Sequence, residues 1–338
     1  MSKVGAGGAL VRFSPDSLPS VHKFFPQGVA GRAPAADNIP AMNSAAAPEA
    51  MRPASELESG SQASHKGRIL AWAAWDWGSA AFNAVMTTFV FTVYLTSNGF
   101  GGEDQASAVL GGALAIAGAA VALLAPVTGQ RSDTGGRRKL WLGVNTAAVA
   151  LLTALCFFVF PRPEFLLLGV TLIALANVFF EFAGVNYNAM LTQISTPQNI
   201  GKVSGFGWGM GYLGGIVALL VVLQLFVQPS FEWFGASTAD GLNIRLVAVF
   251  SALWFFIFAL PVMFAVPELP RSRQGAGLGF LASYGLLVRR IKAIYRTSPH
   301  TIYFLLASAV FRDGLAAVFT FGGIIAAGTF GFELKDVI

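Results

Sequence analysis

Seven apolar segments dominate the chain, near residues 69–96, 106–128, 140–160, 165–190, 204–228, 245–266 and 301–328. A helix needs about 20 such residues to cross a bilayer, and each segment is long enough. In hydrocarbon every backbone N–H and C=O needs a partner within the protein, which restricts spanning structures to helices and closed barrels. Segments this long and unbroken select helices. The chain is therefore expected to be an all-α, multi-pass membrane protein. Composition agrees. Only 12% of residues are charged, about half the share of an average soluble domain.

The Lys and Arg residues orient the spans. Of the 22 in the chain, seven lie in residues 1–68, four in 129–139, one at Lys202 and six in 267–300, all on one side. The opposite side holds Arg162, Arg245 and Lys335, and Arg312 falls within a span. Positive residues collect in the cytoplasm, so the N-terminus is expected there. The formal charge of +5 is spread over the tail and loops, which fits orientation signals better than a nucleic-acid surface. Residues 1–66 are rich in Ala, Pro, Ser and Gly and read as a disordered cytoplasmic tail. No basic stretch leads into a short apolar core at the start, so a cleaved signal peptide is not expected. Met51 is an alternative start. Residues 67–266 then form a six-helix unit, 267–300 a cytoplasmic linker loop, and 301–338 one span and the start of the next element.

Within the first span Asp76 to Thr87 reads Asp-Trp-Gly-Ser-Ala-Ala-Phe-Asn-Ala-Val-Met-Thr. Within the fourth, Glu181 to Thr192 reads Glu-Phe-Ala-Gly-Val-Asn-Tyr-Asn-Ala-Met-Leu-Thr, aligning without a gap. A weaker third copy starts at Asp313, with Phe319 and Thr320 at the aromatic and Asn positions. The first and fourth spans run in opposite directions, so a motif recurring three spans apart is the trace of inverted three-helix repeats. A carboxylate inside a span is costly and is a functional candidate by default. On the fourth span Asn177, Glu181, Gly184 and Asn188 share one helical face, as do Asp76, Ser79 and Asn83 on the first. Arg312 and Asp313 add two charges in the seventh. The alternative for all of these is a fixed ion-pair network tying helices together.

Other chemistry is poorly supplied. The single Cys156 and the three scattered His residues make no metal, disulfide or catalytic set, and no cofactor or enzyme activity is expected. Gly209, Gly211 and Gly214 formally satisfy a GxGxxG pattern, but no strand precedes them and a dinucleotide site is rejected. The pairs Gly205/Gly209, Gly207/Gly211 and Gly211/Gly215 are instead expected to let helices approach closely in lipid.

Gly129, Asp133, Gly136, Arg137 and Arg138 resemble the signature loop of the major facilitator superfamily; the plain alternative is an ordinary positive loop. The superfamily's Gly-Pro signature in the fifth span is not reproduced, since Tyr212 stands where Pro is expected. Ala71–Asn83, Glu181–Leu191, Gly201–Gly215 and Phe311–Leu315 together resemble the vacuole-effluxer-like branch of that superfamily, which includes vacuolar amino-acid exporters. The resemblance covers residues 68–338 and implies twelve spans in two halves, each of 3+3 inverted repeats; about seven are present. It also implies that the leading helix of each three-helix unit lines a central cavity. Substrate or proton would there meet Asp76, Asn83, Asn177, Glu181, Asn188, Arg312 and Asp313. Arg312 is expected to bind a substrate carboxylate or pair with Glu181, while one acid carries a proton.

The leading expectation is a secondary transporter moving a small polar solute, such as an amino acid, by alternating access, with protons as the candidate coupling ion. A bacterial plasma membrane is favoured over a vacuolar one. A truncated, non-transporting fragment is the first alternative and a seven-helix receptor the second. Nothing in the sequence sets the oligomeric state.

Overall fold

The computed structural model describes residues 54–228, 237–268 and 280–332. Among them every regular element is helical. The first span is built from α1 (Ala54–Ala80), a π-helical stretch (Ala81–Phe89) and α2 (Phe91–Leu95). Next come α3 (Glu103–Gly135), α4 (Arg138–Leu155), α5 (Pro163–Ile194), α6 (Ile200–Val222) and α7 (Leu242–Ala265). The chain continues into α8 (Phe280–Thr297) and α9 (Pro299–Gly328). Among the described residues six helices are long and apolar enough to cross a membrane, from His65–Leu95 to Ala239–Ala265. They match the first six apolar segments, and the seventh lies within α9.

Three differences from the sequence reading have local causes. Helix α1 begins at Ala54, so residues 54–66 extend the first span rather than the tail. Ala, Glu, Leu and Gln there are good helix formers, and a helix already nucleated in lipid extends at little cost. Residues 1–53 lie outside the described residues. The loop expected at 129–139 is mostly helix: α3 runs to Gly135, Gly136 takes the left-handed φ of 60° as its cap, and α4 starts at Arg138. The linker at 267–300, expected as a loop, contains α8.

The neighbours of each helix repeat in a pattern. Helix α1 packs against α6 and α7, while α5 packs against α3 and α4, and α4 meets α7. Exchanging α1 with α5, α3 with α6 and α4 with α7 returns the same set of pairs. Two three-helix units related by a pseudo-two-fold axis produce that pattern.

Small residues allow the close approaches. A Cβ at Gly214 would stand 2.5 Å from the Trp77 carbonyl oxygen, and one at Gly78 would stand 2.7 Å from Phe258 Cβ. Gly207 accommodates the Trp72 ring, and Gly143 meets Met263 Sδ across α4 and α7. Without a hydrophobic drive between helices in lipid, such van der Waals contact supplies much of the association. The Gly205/Gly209 pair takes no part among the described residues, since a Cβ at either would meet nothing within 4 Å. The packing face of α6 is Gly207, Gly211, Gly214 and Gly215.

Opposite to the α3–α4 turn, Arg245 is buried at the start of α7 with 6% exposure. Its guanidinium carbon lies 3.7 Å from the Phe160 ring centroid and 4.6 Å from that of Phe157, and its Nε donates to the Phe157 carbonyl at 2.5 Å. A cation between two rings and a carbonyl holds the α4–α5 connection onto α7.

Gly214→Val should destabilise the bundle by about 1–3 kcal/mol, because the obstructing atom is backbone and has no rotamer to change. Thermal unfolding in detergent would show this, with Gly209→Ala unchanged. In the same assay Arg245→Lys should lower the melting temperature, since an ammonium has no planar face to stack on Phe160.

Candidate substrate cavity

The two repeat copies meet through their aromatic side chains. Trp75 and Phe180, equivalent positions in the repeat, stack with centroids 6.1 Å apart. Trp75 lies 4.3 Å from Tyr187, and the equivalent pair, Phe180 and Phe82, lies 5.1 Å apart. A contact between equivalent residues, flanked by a matched pair of contacts, is what packing across a two-fold axis produces. Trp72 also stacks on Tyr187 at 4.4 Å, and its Nε1 donates to the Tyr187 carbonyl at 3.1 Å. Trp75 Nε1 donates to Thr146 Oγ1 on α4 at 3.0 Å, so a buried indole has its partner.

The carboxylates following these rings sit in unequal surroundings. Asp76 is half-buried, and its Cγ lies 3.3 Å from the Cβ that Gly211 lacks. Any larger residue at Gly211 would crowd the acid. The Tyr187 hydroxyl faces Asp76 without closing a well-aligned hydrogen bond. Position 187 is the only aromatic position of the two copies that carries a hydroxyl; its equivalent is Phe82. Glu181 is exposed on α5, and the Arg312 guanidinium on α9 is near enough for its charge to act on it. No ion pair joins the two among the described residues; the charges act on one another only at a distance. Arg312 and the adjacent Asp313 are both exposed on α9.

The polar face of α5 is open. Asn177 and Gly184 are half-buried, Asn188 is exposed, and a Cβ at Gly184 would meet nothing within 4 Å. On the first span the shared face expected for Asp76, Ser79 and Asn83 is altered. Ser79 is buried and donates to the Asp76 carbonyl at 2.9 Å. Asn83 is exposed within the π-helical stretch, whose wider turn changes its angle relative to Asp76. The hydroxyls of Thr87 and Thr88 both donate to the Asn83 carbonyl, at 2.7 and 2.9 Å. They help satisfy an acceptor that α-helical bonding would otherwise use. Helix α9 runs beside this stretch. The third repeat copy cannot be followed as far, since the side chains of Phe319 and Thr320 lie outside the described residues.

At the opposite end of the helices, the signature residues fasten several elements. A Cβ at Gly129 would stand 3.3 Å from Val185 Cγ1, which brings α3 against α5. Arg138 donates to the Ala189 carbonyl at 3.1 Å. Lys139 reaches the Val266 carbonyl through Nζ and the Glu268 carboxylate through its backbone N–H. Ser132 and Asn186 form a buried hydrogen bond between α3 and α5. Gly136 supplies the turn and Arg137 is exposed beside it, while the Asp133 side chain lies outside the described residues.

Sequence reasoning singled out the charged residues but not the hydroxyl of Tyr187, nor Gly211 as the surface against which Asp76 lies. A comparison of the repeat copies holds the signal for the first: Phe82 and Tyr187 differ by one oxygen.

A family model described as "Vacuole effluxer Atg22 like" matches residues 95–338. An uncharacterized MFS-type transporter, YxiO of Bacillus subtilis, is 26% identical over 253 residues, covering 74% of this chain and 58% of that protein. Autophagy-related protein 22-1 of Neosartorya fischeri is 28% identical over 126 residues, covering 35% of this chain and 19% of that protein. Its counterpart in Aspergillus fumigatus is 28% identical over 139 residues, or 38% and 22%. The chain therefore spans less than two thirds of the length of the curated relatives it matches. No solved structure matches. The match over residues 95–338, joined to the repeated helical architecture, places this chain in the vacuole-effluxer Atg22-like family.

Proposed function

We propose that the chain contributes to a secondary active transporter that moves a small polar solute across the membrane by alternating access. The observation that carries this reading is the set of charges on the leading helices of the repeats: Asp76 on α1, Glu181 on α5, and Arg312 with Asp313 on α9. In a bilayer such groups are costly unless they meet one another, water or a passing ligand. Glu181 and Arg312 lie on open surfaces of different helices, so a zwitterion could exchange with their mutual attraction. Its ammonium would take the carboxylate and its carboxylate the guanidinium, whose fork suits a bidentate contact. Amino acids have this chemistry. The names of the fungal relatives and of the family model, which speak of autophagy and vacuolar efflux, are compatible with such cargo.

In this reading α1 to α7 form the six-helix first half, 67–266, and α9 opens the second. Asp76, held against Gly211 and faced by Tyr187, is the candidate proton carrier of the first repeat, and Glu181 or Asp313 that of the others. Asn83, Asn177 and Asn188 offer neutral hydrogen bonds to the solute. The N-terminus lies in the cytoplasm, following the positive residues at 129–139, Lys202 and 267–300. The membrane is a bacterial plasma membrane, the relative matched over most of this chain being bacterial. The seven-helix receptor alternative rested on span number alone, and the family match gives it no support. The same match to transporters points away from an enzyme.

The test is transport of labelled amino acids in proteoliposomes made with the protein extracted from its native membrane, with and without an imposed pH gradient. Glu181→Gln and Asp313→Asn should each slow transport or remove its dependence on the gradient; full activity with intact dependence in both would reject the assignment.

A charge swap examines the pair itself. Charges that act on one another couple by about 0.5–3 kcal/mol, so Glu181→Arg and Arg312→Glu alone should each slow transport severalfold. The double variant should recover part of the loss. Losses that simply add would mean that the two groups act independently.

A further inference from the structure

Helix α8 has a sharply divided surface. At 100° per residue, Phe280, Leu287, Ile291 and Ile294 fall on one arc, with Val288 and Tyr295 beside them. Arg289, Arg290, Lys292 and Arg296 lie off that arc, together with Ala282, Gly285, Leu286, Ala293 and Thr297, and the helix contains no acidic residue. The apolar arc is not absorbed by the bundle. Val288, Ile291, Ile294 and Tyr295 are 38–51% exposed, and Leu281 at its edge is 84% exposed. All four basic side chains are exposed as well.

The position of the helix says what it meets. Its first turn is pinned to α3 by two hydrogen bonds: Gln130 Nε2 donates to the Ser283 carbonyl at 3.2 Å, and the Tyr284 hydroxyl donates to the Leu123 carbonyl at 2.5 Å. Leu123 lies inside the apolar part of the second span, and Gln130 lies near its end. The start of α8 thereby lies against the last three turns of the second span, the part nearest that span's end. An apolar arc there, flanked by cations of one sign, matches the two layers of an anionic membrane surface. Acyl chains take the apolar side chains and headgroup phosphates take the basic ones.

We propose that α8 is an interfacial helix that docks on anionic lipid, its apolar arc among the upper acyl segments and Arg289, Arg290, Lys292 and Arg296 at headgroup phosphates. The linker would then be held to the membrane surface beside α3 while α9 continues into the next span. The proposal rests on the multi-pass membrane architecture and is independent of whether the chain transports.

The test uses the full chain carrying Cys156→Ala, which removes the one native thiol. A single cysteine is placed at Ile291 on the apolar arc or at Ala293 on the opposite one, and labelled with an environment-sensitive fluorophore. The protein is reconstituted in phosphatidylcholine vesicles with or without phosphatidylglycerol. At position 291 the expected result is blue-shifted emission, quenched by nitroxide-bearing lipids and little by aqueous iodide. The shift should be larger with phosphatidylglycerol and reduced by added salt. Position 293 should show the reverse preference of quenchers. Arg289→Gln combined with Lys292→Gln should abolish the difference between the two lipid compositions. Quenching of position 291 by iodide in phosphatidylglycerol vesicles would overturn the proposal. So would protection from both quenchers, which would mean that protein covers the arc.

Discussion

The stack of Trp75 on Phe180 is the contact on which the arrangement of the bundle depends. It joins equivalent positions of two antiparallel helices, and the matched pairs Trp75–Tyr187 and Phe82–Phe180 flank it. Phe255 on α7 closes against both central rings, at 5.5 and 6.2 Å. Rings are rigid and bury much surface for few torsions, so a small number of them can fix how two helices sit. In lipid, where apolar surface alone gives helices no reason to associate, such shape matching is needed. The acids one residue after Trp75 and Phe180 inherit their positions from the rings.

Around that centre, glycine and charge divide the remaining work. Gly78, Gly207 and Gly214 let α6 and α7 close on α1, because each stands where a side chain would meet Trp72, Phe258 or backbone. Charged side chains tie the helix ends. Arg138 and Lys139 bond carbonyls at the ends of α5 and α7 on one side, while Arg245 holds Phe157 and Phe160 on the other. Arg245, the buried one, is paired with a carbonyl and two rings, which lowers the penalty of burying it. A bundle tight at its ends and aromatic at its centre leaves the polar face of α5 and the charges of α9 open, and those are the surfaces the proposed transport would use.

The inequality of Asp76 and Glu181 follows from the same packing. Repetition gave both copies an acid, an aromatic ring and an Asn at equal spacing. The neighbours differ. Helix α6 presents Gly211 to Asp76, whereas α9 presents Arg312 to Glu181. A carboxylate held against a glycine beside a tyrosine hydroxyl and one in the field of a guanidinium have different partners to exchange.

Local chemistry determined much of this protein in advance. The lengths of the apolar runs dictated helices and their number, because hydrocarbon leaves the backbone no other partner. The repeat at 76–87 and 181–192 announced two inverted units, and the motifs at 129–138 and 201–215 pointed to the family. What sequence spacing could not supply was relative placement. Asn83 leaves the face it should share with Asp76 because the helix widens to a π turn there, with Thr87 and Thr88 bonding its carbonyl. Gly205 and Gly209 fit a packing motif as well as Gly207 and Gly211 do, yet only the latter pair faces α1. A helix has many faces and its period is the same for all of them, so only the neighbours decide which one is used. The order within 267–300 was legible in principle, as the apolar and basic residues of α8 alternate with helical period. Its anchorage at Leu123 and Gln130, which holds the start of a basic helix against α3, belongs to the tertiary structure alone.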